Sequence, residues 1–106
     1  MRLEKVSEVE FILHGKIKEI SDYKDIKLIF EKLRKNNQKE VILRIPKARE
    51  ISPYILGYWL KLVRHDDFKL TFYLEEAYLV ESFESLGLNH FFEVIDDGMD
   101  KYLFRF

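Results

Sequence analysis

Hydrophobic positions along the chain switch between short apolar runs and stripes that repeat every three or four residues. The runs, which are typical of β-strands, lie at residues 9–17, 41–45, 69–74 and 90–95. The stripes between them are typical of one helical face. The predicted order is strand, helix, strand, helix, strand, helix, strand. Such alternation predicts a mixed, largely parallel sheet of four to five strands covered by helices, in the α/β class.

The two ends of the chain leave the strand count open. Residues 2–6 (RLEKV) are expected to pair with the first long strand at a sheet edge, and residues 98–106 include KYLFRF, an expected extra C-terminal strand. Residues 41–45 (VILRI) are nearly all apolar, which predicts a strand buried on both faces. The length of 106 residues fits one domain spanning 1–106.

Helix boundaries follow from capping residues. Ser21 or Asp22 is predicted to cap the first helix, and Gly87 to follow the third. Ser52 and Pro53 open the second helix, with the serine hydroxyl predicted as the N-cap acceptor and proline at the first helical position. The predicted inward positions are Tyr23, Ile26, Phe30 and Leu33 in the first helix, Leu56, Trp59, Leu60 and Val63 in the second, and Leu79, Val80, Phe83 and Leu86 in the third.

Composition narrows the class of protein. The chain is 47% hydrophobic and has no cysteine, so it needs no disulfide and holds no thiolate metal site. Its 18 lysines and arginines balance 19 aspartates and glutamates, a ratio that argues against nucleic-acid binding. No apolar run reaches the roughly 20 residues that span a bilayer, so we expect no membrane insertion. We therefore expect a cytoplasmic protein.

Candidate chemistry is sparse. His14, His65 and His90 are scattered, and none has a second ligand at metal-binding spacing. The four glycines form no phosphate loop, and no serine lies in a nucleophile elbow. We expect no catalytic residue, metal or cofactor, and predict that the protein is not an enzyme.

Aromatic residues gather at the start of the second helix. Trp59 has the inward phase, whereas Tyr54 and Tyr58 lie four residues apart and share a different face. Two interpretations stay open. The tyrosines are either half-buried at the end of the sheet, or they form an exposed contact patch of the kind enriched at binding surfaces.

From about residue 9 to residue 97 the chain resembles the STAS family, which includes bacterial anti-sigma factor antagonists. The resemblance is carried by a strand that bends at HGKI, the strand VILRI, the helix entry ISPYILGYWL, and the closing segment SFESLGLNHFFEVIDD. It implies the α/β fold described above. It also implies a protein that regulates signalling by binding a partner.

The functional motif of that family is altered in this chain. Family members enter the second helix through an Asp-Ser-Ser/Thr-Gly-like motif whose second hydroxyl residue is phosphorylated by a partner kinase. Without a gap this motif falls on residues 52–55, so that Ser52 replaces the aspartate and Tyr54 replaces the acceptor. Lys18 replaces an acidic residue of the family. A shift of two would make Ser52 the phosphoacceptor, but it would disturb the apolar phase of the helix.

The resemblance implies a non-catalytic protein-interaction module without serine phospho-switching. The implied partner is an anti-sigma kinase-like or other signalling protein. The alternative is a structural subunit of a lipid-transport complex, held by a transporter ATPase subunit. The sequence does not decide whether the chain forms a homodimer. The predicted partner-binding residues are Arg49, Glu50, Ser52, Tyr54 and Tyr58.

Overall fold

The structure, a computed structural model, describes residues 1–98. Its strands are β1 (Arg2–Lys5), β2 (Glu10–His14), β3 (Glu40–Ile45), β4 (Lys69–Leu74) and β5 (Glu93–Asp96), and its α-helices are α1 (Ile20–Lys35), α2 (Pro53–His65) and α3 (Ala77–Ser85). The five strands lie side by side in chain order. β1 is antiparallel to β2 at the edge, and all other pairs are parallel. The predicted α/β class, the mixed sheet and the edge pairing are confirmed.

The sheet has one buried face and one partly exposed face. Along β3, Leu43 and Ile45 are buried, while Ile42 and Arg44 between them are partly exposed. The same alternation holds along β2 and β4. The prediction that residues 41–45 are buried on both faces is therefore wrong. On the second face, Arg44 is partly exposed to solvent and pairs with Glu10 at 2.6 Å.

All three helices pack on the buried face. Trp59 of α2 contacts Phe72 of β4 at a ring distance of 5.0 Å, and Phe83 of α3 lies 5.4 Å from the same ring. Phe30 of α1 lines a small internal cavity together with Trp59 and Leu43. This two-layer arrangement leaves the ends of the parallel strands accessible between the helices.

The inward face of α2 differs from the prediction. Ile55, Trp59 and Leu62 are buried, at the i, i+4, i+7 spacing of one helical stripe. Of the predicted positions only Trp59 is fully buried, since Leu56, Leu60 and Val63 are only partly buried. Apolar and aromatic residues cover more than half of the circumference of α2, so the sequence period alone could not select the inward stripe. Leu60 is not the inaccessible core residue that the pattern predicted.

The N-cap of α1 differs from the prediction, whereas the buried positions of α1 and α3 largely agree with it. α1 begins at Ile20 with Glu19 as its N-cap, and Asp22 lies inside the first turn, so neither Ser21 nor Asp22 is the cap. Ile26, Phe30 and Leu33 are buried as predicted, and Tyr23 packs partly buried against them. In α3, Leu79, Val80 and Phe83 are buried.

The third helix ends one residue earlier than its apolar stripe. Leu86 is 64% exposed because α3 stops at Ser85, so the predicted inward position is wrong. Gly87 adopts the left-handed conformation with φ of 72°, as expected of a residue that follows a helix. A 3₁₀ turn, Leu88–His90, comes next, and β5 therefore starts at Glu93 rather than at residue 90.

The predicted C-terminal strand falls on a segment that, beyond Gly98, lies outside the described residues. Among residues 1–98, none of the helices is long and apolar enough to cross a bilayer.

Candidate functional site

The entry to α2 is built from two loops that leave the carboxyl ends of β2 and β3. The first loop bends at Gly15, whose φ is 82°, and the second is anchored by the buried side chain of Ala48. The loops are joined by a parallel bridge between Ile17 and Ile51, both buried, and by a hydrogen bond of 3.2 Å from the Ser52 amide to the Ile17 carbonyl. This joint fixes the two loops relative to each other.

A groove of about 750 Å³ opens between these loops, and it is called the basic groove below. Its lining includes Lys16, Lys18, Lys47, Arg49, Glu50 and Ser52. In each loop the exposed cations flank a buried residue, because side chains of an extended segment alternate between two sides. The side chains of Lys16 and Lys18 therefore lie on the opposite side of the segment from the buried side chain of Ile17, and they face the groove.

The cations of the basic groove are poorly compensated. The ammonium groups of Lys16, Lys18 and Lys47 make no hydrogen bond or ion pair with any residue in the described part of the chain. Arg49 lies 3.9 Å from Glu76 and stacks over the ring of Tyr78 at 5.0 Å. The groove therefore concentrates positive charge in a protein whose formal net charge is -1.

Ser52 occupies the predicted N-cap position, with Pro53 as the first helical residue. Its hydroxyl does not make the predicted cap hydrogen bond. The amides of Ile55 and Leu56 donate instead to the Ser52 carbonyl, at 3.0 and 3.1 Å, so the Ile55 amide, one of the two donors that a cap would serve, is satisfied. The residue is 9% exposed and lines the basic groove, and its hydroxyl makes no hydrogen bond within residues 1–98.

Tyr54 and Tyr58 differ in their surroundings, although both pack edge-on against the ring of Tyr23 at 5.6 and 5.5 Å. Tyr54 is 44% exposed, and its hydroxyl donates a 2.9 Å hydrogen bond to the Lys18 carbonyl. Tyr54 therefore lies beside the basic groove as an exposed aromatic residue.

Tyr58 belongs to the packing between α1 and α2. Its ring contacts Phe30 at 6.2 Å, and its hydroxyl is enclosed without a hydrogen-bond partner within residues 1–98. Burial raises the pKa of Tyr58 to about 12. Because the hydroxyl is enclosed, the half-buried interpretation describes Tyr58 and the exposed interpretation describes Tyr54.

A second cavity, of about 360 Å³, lies between α1 and α2 and is bordered by Tyr54, Gly57 and Lys61. Gly57 sits inside the helix, where a Cβ atom would meet nothing within 4 Å. Packing therefore does not require glycine at this position. The missing side chain leaves a notch in the exposed surface of α2 next to Tyr54.

The structure brings Arg49, Glu50 and Ser52 together in one groove, with Tyr54 beside it, and leaves Tyr58 in the helix interface. The three histidines do not converge, and among residues 1–98 no group of three or more His, Asp or Glu side chains could hold a metal ion.

Sequence reasoning missed the lysines of the groove. Lys16 and Lys47 were not identified as site residues, and Lys18 was noted only as a replacement of an acidic residue. The available signal was the pair of segments GKIK and PKAR, each directly after a strand of a parallel pair. Because the carboxyl ends of parallel strands meet at one edge of a sheet, these cations could have been placed together.

Comparisons with protein-family models, with curated proteins and with solved structures give no match for this chain. The resemblance to the STAS family thus rests on the sequence segments quoted above.

Proposed function

We propose that the chain is a non-catalytic protein-interaction module that docks a protein partner at the entry to α2. The α2-entry surface is defined here as Arg49, Glu50, Tyr54 and Gly57. By the resemblance to the STAS family, the partner is a histidine-kinase-like anti-sigma factor or another signalling protein, bound stoichiometrically in the cytoplasm.

The observation that carries this proposal is the fixed, exposed ring of Tyr54. Its hydroxyl is held by the Lys18 carbonyl, and its ring is held by the edge contact with Tyr23. An aromatic side chain that is already ordered loses little conformational entropy when a partner covers it. Tyrosine is enriched among the residues that dominate binding energy for this reason and for its mixed apolar and polar character.

Gly57 supports the same surface. Glycine in a helix interior costs about 1 kcal/mol relative to alanine, and nothing in the packing of this chain requires it. A partner backbone that approaches α2 closely at this position would provide a reason for the missing side chain. Arg49 and Glu50 are exposed in the loop before α2 and provide a charged rim.

The geometry also supports docking without serine phosphorylation. Ser52 is 9% exposed, at the base of the groove, where a kinase active site would have difficulty reaching its hydroxyl. Incubation of the protein with its kinase-like partner and ATP should leave the intact mass unchanged. A stoichiometric phosphate on Ser52 would contradict this part of the proposal.

The docking surface is tested by affinity capture with the immobilised chain from native lysate. The captured protein is then purified and its affinity is measured by calorimetry. Tyr54→Ala and Gly57→Lys should each weaken binding by more than about 2 kcal/mol. Leu28→Lys is the matched control, because it adds the same charge at an exposed position of α1.

Circular dichroism melts should show that the three variants keep a cooperative transition. Unchanged affinity for Tyr54→Ala and Gly57→Lys would exclude the α2-entry surface. Equal weakening by Leu28→Lys would indicate a non-specific charge effect instead.

A further inference from the structure

We propose that the basic groove binds a phosphate group, with Lys16, Lys18 and Lys47 supplying positive charge and the Ser52 hydroxyl donating a hydrogen bond. The groove shares Arg49 and Glu50 with the α2-entry surface, but the proposed phosphate-binding groups belong to residues outside that surface. A phosphate carried by a small molecule would fit it whether or not a protein partner binds nearby.

The first argument is the uncompensated charge. The three lysines and Glu50 give the groove a formal charge of about +2 if Arg49 is assigned to Glu76. By contrast, Arg44 on the sheet pairs with Glu10 at 2.6 Å. Like charges gathered without counter-charges raise the free energy of the isolated protein, and an anion removes that repulsion.

The second argument is the unused hydroxyl of Ser52. The residue is 9% exposed and its hydroxyl makes no hydrogen bond within residues 1–98, but unlike the Tyr58 hydroxyl it is not fully enclosed and opens to the groove. It lies in the wall of the groove rather than in the apolar core. Because the hydroxyl has no protein partner within residues 1–98 and opens to the groove, it is available to donate a hydrogen bond to an oxygen of a bound anion.

The third argument is that the groove is built before any ligand arrives. The Ile17–Ile51 bridge joins the loops that carry the cations. The Lys18 backbone is held on both sides, since its carbonyl accepts the Tyr54 hydroxyl and its amide donates to Asp22 at 3.1 Å. A backbone that is already fixed lowers the entropic cost of binding an anion, since only the lysine side chains remain to be ordered.

The charge count selects the chemical class. A phosphate monoester carries about −2 near neutral pH, which matches the groove, whereas a single carboxylate would leave half of the positive charge uncompensated. The start of α2 offers only the amide of Tyr54 as a further donor, because Pro53 has no amide hydrogen and the amides of Ile55 and Leu56 are already bonded. Recognition therefore depends mainly on the side chains.

The test is an NMR titration of the full ¹⁵N-labelled chain with inorganic phosphate. Sodium chloride keeps the ionic strength constant, and a titration with sodium chloride alone is the reference. The expected result is saturable shifts confined to the amides of residues 15–19 and 47–54, with a dissociation constant of about 1 mM. Lys18→Gln combined with Lys47→Gln should raise the dissociation constant at least about tenfold. Ser52→Ala should raise it about three- to tenfold.

The matched control is Lys24→Gln combined with Lys35→Gln, which removes the same charge from exposed positions of α1 outside the groove. It should leave the affinity unchanged. Shifts that spread over all exposed lysines, that fail to saturate, or that respond equally to the control variant would overturn the proposal.

Two further probes then distinguish the sources of the phosphate. Tighter binding of a phosphoserine peptide than of ribose 5-phosphate would assign the groove to a phosphorylated protein segment, and the reverse would assign it to a small phosphorylated molecule. Phosphate binding is read from this chain alone, whereas docking is read from affinity for the captured protein. Failure of one proposal is therefore distinguishable from failure of the other.

Discussion

Two cations at the amino end of the parallel sheet have partners in the fold, whereas the lysines of the basic groove at its carboxyl end have none among residues 1–98. At the amino end, Arg34 pairs with Asp66 at 2.7 Å, and Lys39 donates a 2.6 Å hydrogen bond to the Asp66 carbonyl while its ammonium lies 5.1 Å from the centre of the Phe68 ring. At the carboxyl end, Lys16 and Lys18 face the basic groove without such partners among residues 1–98.

This difference indicates that the two sets of cations have different roles, one in folding and the other in ligand binding. Arg34 and Lys39 at the amino end contact Asp66, and Lys39 also lies over the buried Phe68 ring, so these two cations contribute to folding. Cations at the carboxyl end surround a preformed groove and repel one another, so they contribute to ligand recognition. Ligand sites of open parallel sheets are generally found outside the carboxyl ends of the strands, and this chain follows the same physical logic.

The largest expected effect is the truncation of Phe68 at the amino end. Its ring is buried and packs edge-on against Phe30 at 5.5 Å. Phe68→Ala should lower the free energy of unfolding by about 3–5 kcal/mol. Tyr54→Ala at the carboxyl end should cost only about 1 kcal/mol, for one edge contact and one hydrogen bond. Urea denaturation measures both, and equal losses at the two ends would break the comparison.

A smaller effect is expected at Asp22, the buried carboxylate that supports the groove from below. It accepts hydrogen bonds from the amides of Lys18 and Glu19, at 3.1 and 3.0 Å, and lies 3.3 Å from the amino group of Met1. Asp22→Asn should cost about 1–3 kcal/mol of stability at pH 7, because a charged acceptor of two amides is lost. A loss below half a kcal/mol, roughly the effect of a neutral surface change, would mean that the carboxylate does not hold the loop.

The pH dependence of this effect has a defined sign. Burial alone raises the pKa of Asp22, but the amide hydrogen bonds and the nearby amino group outweigh it and lower the pKa below its ordinary value of 3.8. The stabilisation is therefore complete above that value and disappears as the pH falls through the lower folded-state pKa. The stability difference between the wild type and Asp22→Asn should shrink in that acidic window. A difference that grows on acidification would contradict the assignment.

A gain in stability is expected at Gly57. Gly57→Ala should raise the free energy of unfolding by about 0.5–1 kcal/mol, since alanine reduces the entropy of the unfolded chain and its methyl group meets open space. Thermal and urea unfolding measure this gain. A loss of stability would show that the notch is part of the packing rather than of the α2-entry surface.

The fold was largely predictable from the sequence because its strands are short and their apolar runs are bounded by glycine and proline. The order of elements, the edge strand β1 and the start of α2 at Pro53 all followed from these signals. The inward stripe of α2 did not, because Leu56 and Leu60 are as apolar as Ile55 and only tertiary packing distinguishes them.

The candidate site was predictable only in part. Arg49, Glu50 and Ser52 were expected at one surface because they precede a helix. The lysines that complete the groove come from another loop, and nothing local in GKIK indicates that Ile17 bridges to Ile51. The enclosed hydroxyl of Tyr58 was also hidden from the sequence, because a helical face does not reveal how closely α1 approaches α2.

The central claim is that the cations at the carboxyl end serve binding rather than folding, and one stability measurement tests it most directly. Urea unfolding at low ionic strength compares the Lys18→Gln, Lys47→Gln double variant with Arg34→Gln at the amino end. Arg34→Gln should lose up to about 1 kcal/mol, the usual value of an exposed ion pair. The double variant should lose nothing, and should gain a few tenths of a kcal/mol if the lysines repel each other, as roughly estimated for exposed like charges. A loss above about 1 kcal/mol in the double variant would contradict the account, since it would make these lysines part of the folded framework.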